Sequence, residues 1–305
     1  MIATTGFFDG VHCGHRLVIE RLVSAAHARG DESLVITFWP HPRAVLQNGA
    51  RELRLLTTLE EKKALLAGLG VDRVEVLDFT RRFASLTAEQ YLRDILRDRF
   101  GVTTLLVGYD NRLGSDRLTA PALKPIASRL GIELIELAPL SVDAESPLSF
   151  RAEPKAESRN LEVSSTQIRK ALEEGRIEDA NAMLGYGYAL TGAVVAGNRL
   201  GRTIGFPTAN MKLYEPLKLV PARGVYAVEV QVLGQTFRGM TNIGTRPTVG
   251  GTFPTIETHI LDFNEDIYGL PLRITFLRRI RDEIHFPSLD ALRAQLEQDR
   301  AACRG

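Results

Sequence analysis

Short apolar runs alternate with longer amphipathic ones through the first half of the chain. Candidate strands fall at 2–5, 33–37, 73–77, 104–108 and 133–136. Between them, 15–28, 59–69 and 88–100 carry apolar residues at helical spacing; in the first of these Val18, Leu22 and Ala25 share a face, and Gly30 stands where a left-handed cap would end the helix. This alternation predicts βα units closing a mostly parallel sheet. A polar stretch at 141–162 breaks the pattern, after which Ser164, Ser165 and Thr166 offer hydroxyl caps to a helix running through Leu172.

After about residue 186 valines, threonines and turn glycines dominate. Segments 226–232, 236–240, 255–261 and 272–276 read as strands separated by turn signals, which predicts a small antiparallel barrel. The closing segment 288–300 has Leu289, Leu292 and Leu296 at helical spacing, a serine cap and Asp290 in its first turn, so one helix is expected against the barrel. A chain of 305 residues exceeds what one core organises. The fold class is therefore α/β, with domains expected at 1–185 and 186–305.

Composition narrows the function classes. With 44% hydrophobic and 25% charged residues and no long apolar run, the sequence reads as soluble and globular, with no membrane partner. No basic stretch leads into an apolar one at the start, so a cytoplasmic location is expected. Two cysteines, Cys13 and Cys303, exclude a disulfide framework. A net charge of +1 argues against nucleic acid and for small anionic ligands, bound by a monomer or weak homo-oligomer.

The stretch Gly6-Phe7-Phe8-Asp9-Gly10-Val11-His12-Cys13-Gly14-His15 falls between the first strand and the first helix. There, backbone N–H groups and the helix dipole face the position a phosphate would take. Gly6, Phe8, Asp9 and Gly14 are the candidate nucleotide-binding residues, and His12 and His15 are candidates to stabilise charge on an α-phosphate. A second anion site is read at Ser164, Ser165, Thr166 and Arg169, which taken alone is an ordinary helix cap.

A third constellation lies at 197–210, with Gly197, Gly201, Arg202 and Gly205 as phosphate-loop candidates. Thr208 and Asn210 alternate in an extended segment, placing a hydroxyl and an amide oxygen on one side. Such hard ligands suit Mg²⁺ shared with nucleotide phosphates, with Mn²⁺ as an alternative. Glu257 supplies a carboxylate able to accept a proton from an attacking hydroxyl.

The first motif, together with S-S-T-Q-I-R, resembles the HxGH nucleotidyltransferase superfamily and within it the FMN adenylyltransferase module, over about residues 1–185. That resemblance implies a Rossmann-like domain whose flavin side includes Pro40, His41 and Pro42, in a segment similar to F-x-P-H-P, and Asp110. The family's D-F-x-F-G reads Asp110-Asn111-Arg112-Leu113-Gly114 here, without either aromatic.

Beyond it, G-R-T-I-G-F-P-T-A-N at 201–210, N-I-G-T-R-P-T at 242–248, E-T-H-I-L-D-F at 257–263 and I-Y-G at 267–269 resemble the riboflavin kinase family. The resemblance implies Thr208 and Asn210 as metal ligands, Glu257 as general base toward the ribityl 5′-hydroxyl, and Arg279 and Arg281 closing over flavin. The order of modules is similar to the bacterial bifunctional riboflavin kinase/FMN adenylyltransferase family, or FAD synthetases. It implies riboflavin, FMN and ATP as substrates. Two alternatives stay open: a kinase whose first domain is weakened by Asn111 and Leu113, and a flavin or nucleotide sensor without turnover.

Overall fold

All four residues of β1 (Ile2–Thr5) are buried because this strand is the centre of a five-stranded parallel sheet. A strand covered on both faces reads as a continuous apolar run rather than an alternation. Its neighbours are β2 (Ser33–Trp39) and β4 (Thr104–Gly108), with β3 (Arg73–Asp78) and β5 (Glu133–Leu137) at the edges, in the order β3-β2-β1-β4-β5. The order reverses at β1 and β4. Ligands of such sheets bind outside the carboxyl ends of the strands at that reversal, which is where the loop after β1 lies. The computed structural model describes residues 1–46, 53–108, 111–137, 163–197, 200–248 and 251–304.

The long helix α1 (Cys13–Arg29) buries Ile19, Leu22 and Ala26, and Gly30 ends it at φ 66°, the left-handed conformation expected there. The short α2 (Pro42–Leu46) follows β2, and α3 (Leu59–Ala67) opens on a capping box between Thr58 and Glu61. Two single turns, α4 (Arg81–Ala84) and α5 (Ala88–Gln90), precede a π-helical stretch at Tyr91–Arg97. Segment 88–100 is therefore not one continuous α-helix. Its widened turns bring Tyr91, Leu92 and Leu96 into the core together, where the Tyr91 hydroxyl meets Thr5 Oγ1 at 2.8 Å. Helix α6 (Ala120–Arg129) escaped the sequence reading because Pro125 lies inside it.

By packing, the chain divides into Met1–Val163 and Ser164–Gly305. Helices α7 (Ser165–Glu173) and α8 (Ile177–Leu184) pack on each other and α8 against the barrel, so the second unit starts before the change of texture at 186. The barrel is closed and antiparallel. Its strands are β6 (Ala189–Val195), β7 (Ala209–Leu213), β8 (Gly224–Val232), β9 (Gln235–Thr248), β10 (Gly251–Ile260) and β11 (Pro271–Arg281), in the order β10-β7-β6-β11-β8-β9. Between β6 and β7 lies the single turn α9 (Leu200–Thr203). The last helix, α10 (Leu289–Arg304), places Cys303 against Phe206, Met240 and Leu261. Among the described residues no helix is long and apolar enough to cross a membrane.

Candidate active sites

The loop after β1 is built from left-handed residues: Phe8 at φ 48°, Gly10 at 84° and Val11 at 37°. Non-glycine residues persist in that region only where their surroundings hold them. Asp9 provides the hold. Its buried carboxylate accepts from Leu56 N (3.1 Å), Thr57 N (3.1 Å) and Thr57 Oγ1 (3.3 Å), while Gly10 N donates to Thr57 Oγ1 at 3.1 Å. Gly6 leads in under the Phe8 ring, and Gly14 passes beside the His12 ring.

His12 caps α1, its Nδ1 accepting from His15 N at 3.3 Å, which leaves the neutral ring's proton on Nε2 as a donor. The His15 ring stacks on His12 with centroids 3.6 Å apart and planes 16° from parallel, and meets Phe8 edge-on at 5.3 Å. Its Nδ1 is buried without a hydrogen-bond partner. Burial first, then the His12 and Lys62 charges, holds His15 well below the ordinary histidine range, so it is neutral at pH 7.

Lys62 was not legible as a site residue. It sits on α3, buried, with Nζ donating to Phe7 O at 3.0 Å and Thr37 Oγ1 at 2.9 Å. Burial pulls its pKa down to about 8, opposed by Asp9. The capping box ahead of it fixes the helix phase, but a lysine in a charged run reads as surface.

Beside this loop, His41 accepts from Arg43 N through Nδ1 (3.2 Å) and tilts against Phe7 at 5.2 Å. Phe7 in turn meets Phe38 at 5.1 Å and Phe79 at 5.7 Å, and Phe83 and Tyr91 extend the cluster. Pro40 is exposed and follows a cis Trp39–Pro40 bond, and Pro42 starts α2. Asp110 lies outside the described residues. Of the departures that follow it, Asn111 ties Nδ2 to Thr5 O at 3.3 Å, at the end of β1. Leu113 is buried in the core that holds Phe38 and Tyr91, so it replaces an aromatic with another apolar side chain.

In the second unit, Ser164 caps α7, its hydroxyl accepting from Gln167 N at 3.3 Å. Ser165 and Arg169 are half-buried and Thr166 is exposed.

The barrel register brings the remaining candidates together. Glu257 in β10 pairs with Asn210 in β7 on one side and Asn242 in β9 on the other. Directly opposed residues share a face, with Cβ atoms roughly 5 Å apart. The alternate residues face away: Thr258 and Thr241 are buried and hydrogen-bonded at 2.8 Å. Thr208 stands just before β7. Gly197 lies so close that a Cβ there would fall 2.2 Å from Asn210 Nδ2, so the loop backbone packs directly on that amide. Gly205 turns at φ 84°, Gly201 packs against Phe206 O, and Arg202 is exposed.

Next to this turn is a cavity of about 360 Å³ lined by Gly205, Pro207, His259, Asp262, Phe263 and Arg300, among others. His259 Nδ1 donates to Pro207 O at 2.8 Å, and burial pulls this ring below the ordinary histidine range. Asn242, opposite Glu257, and His259, lining this cavity, also had no role in the sequence reading.

Arg279 and Arg281 are both engaged within the unit. Arg279 Nη2 donates to Arg223 O (2.7 Å) and Asp282 Oδ1 (2.6 Å), and its Nε is buried without a partner. Arg281 grips Asp299 of α10 through Nε (3.0 Å) and Nη2 (2.7 Å), with Asp299 only 1% exposed. Among the described residues no three His, Cys, Asp or Glu side chains gather as a metal site.

Two family models match the chain: one described as FAD synthetase over residues 1–149, and one described as riboflavin kinase over 184–305. A bifunctional riboflavin kinase/FMN adenylyltransferase of Escherichia coli strain K12 is 38% identical over 304 residues, covering 99% of this chain and 91% of its own. One of the same description from Listeria monocytogenes is 36% identical, with 99% and 91% covered. A crystal structure described as a macrolide-efflux protein from Streptococcus pneumoniae superposes with a TM-score of 0.88 at 33% identity, over 100% of this chain and 93% of that one. Near-complete coverage by relatives of one description, with both halves matched separately and in order, settles the assignment: the chain belongs to the bifunctional riboflavin kinase/FMN adenylyltransferase family.

Proposed function

We propose that the chain makes flavin cofactors in two steps, phosphorylating riboflavin with ATP to give FMN and ADP, then joining FMN to a second ATP to give FAD and pyrophosphate. The observation that carries the reading is the register of Glu257 beside Asn210. It sets a carboxylate next to an amide oxygen on one barrel face, below a glycine loop that packs on the amide.

In the kinase step the nucleophile is a neutral alcohol. Glu257 takes the proton from the ribityl 5′-hydroxyl as its oxygen bonds to the γ-phosphorus and the bond to the β-phosphate oxygen breaks. Thr208 Oγ1 and Asn210 Oδ1 fit Mg²⁺ by donor type, both being hard oxygens, and the packing of Gly197 on Asn210 keeps the amide pinned. When bound, Mg²⁺ or Mn²⁺ neutralises charge on the β- and γ-phosphate oxygens. Gly197, Gly201, Arg202 and Gly205 are assigned to those phosphates, and the cavity beside Pro207 to the nucleoside end of ATP. Arg279 and Arg281 are assigned to the flavin side, Arg281 acting through its hold on α10.

In the adenylyl step the nucleophile is already anionic, so no base is needed. An FMN phosphate oxygen bonds to the α-phosphorus and the α–β bridge breaks, releasing pyrophosphate. His12 and His15, at the head of α1, hold oxygens of the α-phosphate as the adenylyl group transfers. Gly6, Phe8, Asp9 and Gly14 shape that loop. Pro40, His41, Pro42 and Asp110 are assigned to the flavin, and Ser164, Ser165, Thr166 and Arg169 to phosphate binding. We place the catalytic division at 185/186 and the protein in the cytoplasm, acting as a monomer or weak homo-oligomer.

The test is a product assay with the purified chain, riboflavin, ATP and Mg²⁺, resolved by chromatography. FAD supports both activities. FMN alone supports a kinase with a weakened first domain, and unchanged riboflavin supports a sensor.

A further inference from the structure

Lys62 is a cation inside the sheet–helix layer of the first unit, and nothing in the chemistry above uses it. Its ammonium makes two hydrogen bonds, to Phe7 O and Thr37 Oγ1, and Thr37 Oγ1 itself donates to Phe7 O at 3.3 Å. Phe7 is where two functions meet. Its ring joins His41 and Phe38 in the aromatic cluster, and its carbonyl opens the strained turn that ends at His12. The titratable groups facing Lys62 are Asp9 from the loop and His15 from α1, with His12 stacked on His15; Glu61 on its own helix is turned to the Thr58 cap. Asp9 is held by Leu56 and Thr57, and although its charge favours the ammonium, among the described residues no carboxylate forms a salt bridge with Lys62. An ammonium kept in a low-dielectric interior without a paired carboxylate destabilises the fold, and such groups cluster where chemistry needs their charge.

We propose that Lys62 is a positioning residue for adenylyl transfer, clamping the Phe7 carbonyl so that the loop carries both imidazoles at the α-phosphate. Its buried positive charge also lies behind the loop at which negative charge accumulates in the transition state. The interior transmits that charge with less screening than water would. Its second effect is on His15: a cation behind that ring disfavours its protonation and keeps it neutral. The proposal rests on the adenylyltransferase reading of the first unit.

The experiment compares the full chain with Lys62→Met and Thr37→Val, following FMN to FAD and riboflavin to FMN separately across pH 6–10. Lys62→Met is expected to lower kcat for FAD formation about tenfold or more with KM for FMN and ATP little changed, to leave riboflavin phosphorylation at the wild-type rate, and to keep the melting midpoint at or above wild type. Wild-type FAD formation should fall above about pH 8 as the ammonium loses its proton, a limb absent from Lys62→Met. Thr37→Val, which removes one acceptor of the charged form, should move that limb to lower pH. Equal kcat and an unchanged pH limb in Lys62→Met would overturn the proposal, as would an unmoved limb in Thr37→Val. Absence of FAD from the wild-type chain would instead overturn the adenylyltransferase reading itself.

Discussion

Glu257 stands directly opposite Asn210 across the β10–β7 ladder. The proposed kinase step needs a general base and a metal ligand within one reaction centre, and two adjacent strands in fixed register hold together the residues assigned to those roles. Glu257→Gln keeps the shape and removes the proton acceptor. Riboflavin phosphorylation is expected to drop by roughly 10²–10⁴-fold, while FMN adenylylation is unchanged; assays started from riboflavin and from FMN separate the two.

Gly197→Ala tests the loop above that pair. A methyl group there would lie 2.2 Å from Asn210 Nδ2, so either the loop lifts or the amide turns away. The kinase rate should fall about tenfold or more, with the Mg²⁺ needed for half-maximal rate rising, as expected when a hard-ligand site loses its geometry. Circular dichroism and the adenylylation rate should match wild type.

The buried His15 makes the first unit sensitive to acid. Its folded pKa lies well below the ordinary 6.5, so below pH 6.5 the unfolded chain binds a proton that the folded chain refuses. Stability from this residue is present above 6.5 and is lost as pH falls from there toward the folded value. Melting curves between pH 8 and 5 should show a decline that is shallower in His15→Gln.

Lys62 has the opposite charge logic. Its pKa is lowered from 10.5 to about 8, so below pH 8 the full penalty of burying the ammonium is present, and it is relieved as pH rises to 10.5. Lys62→Met should stabilise the chain at neutral pH by about 1 kcal/mol, the penalty being roughly 3 and the two lost hydrogen bonds about 1 each. That advantage should shrink between pH 8 and 10.5 in denaturant titrations.

Arg281 and Asp299 hold α10 to the barrel through a partly buried pair. Asp299→Ala strands the guanidinium and should destabilise the second unit by about 3 kcal/mol, whereas Arg281→Met with Asp299→Leu should recover most of it. Thermal unfolding of the three variants measures this directly.

Much of this architecture was legible because its signals are local. The strands of the parallel sheet are buried on both faces and stand out as apolar runs, and Gly30 marks the end of α1 as a left-handed cap must. The paired histidines, the Thr208–Asn210 alternation and Glu257 stood out as candidates because their residue types are chemically distinctive at those spacings, and the register sets Glu257 opposite Asn210. What stayed hidden depends on tertiary context. Strands β6 and β7 carry glycine or polar residues that weaken the alternation, Pro125 disguises α6, and the π-helical turn at Tyr91 answers to core packing rather than propensity. Lys62 and Asn242 come beside the candidate residues only through neighbours far along the chain, Phe7 and Thr37 for one and Glu257 for the other. The reading of Asp9 as a nucleotide contact gave no hint of its hold on Leu56 and Thr57.

Two phosphorus centres are attacked in this account, and labelled ATP distinguishes them. Riboflavin, Mg²⁺ and the purified chain are incubated in parallel with ATP carrying a label at the γ- or the α-phosphate, and the flavins are separated. The γ-label should enter FMN and persist in FAD, while the α-label should enter FAD alone. An α-label that never reaches a flavin, or a γ-label missing from FMN, would contradict it.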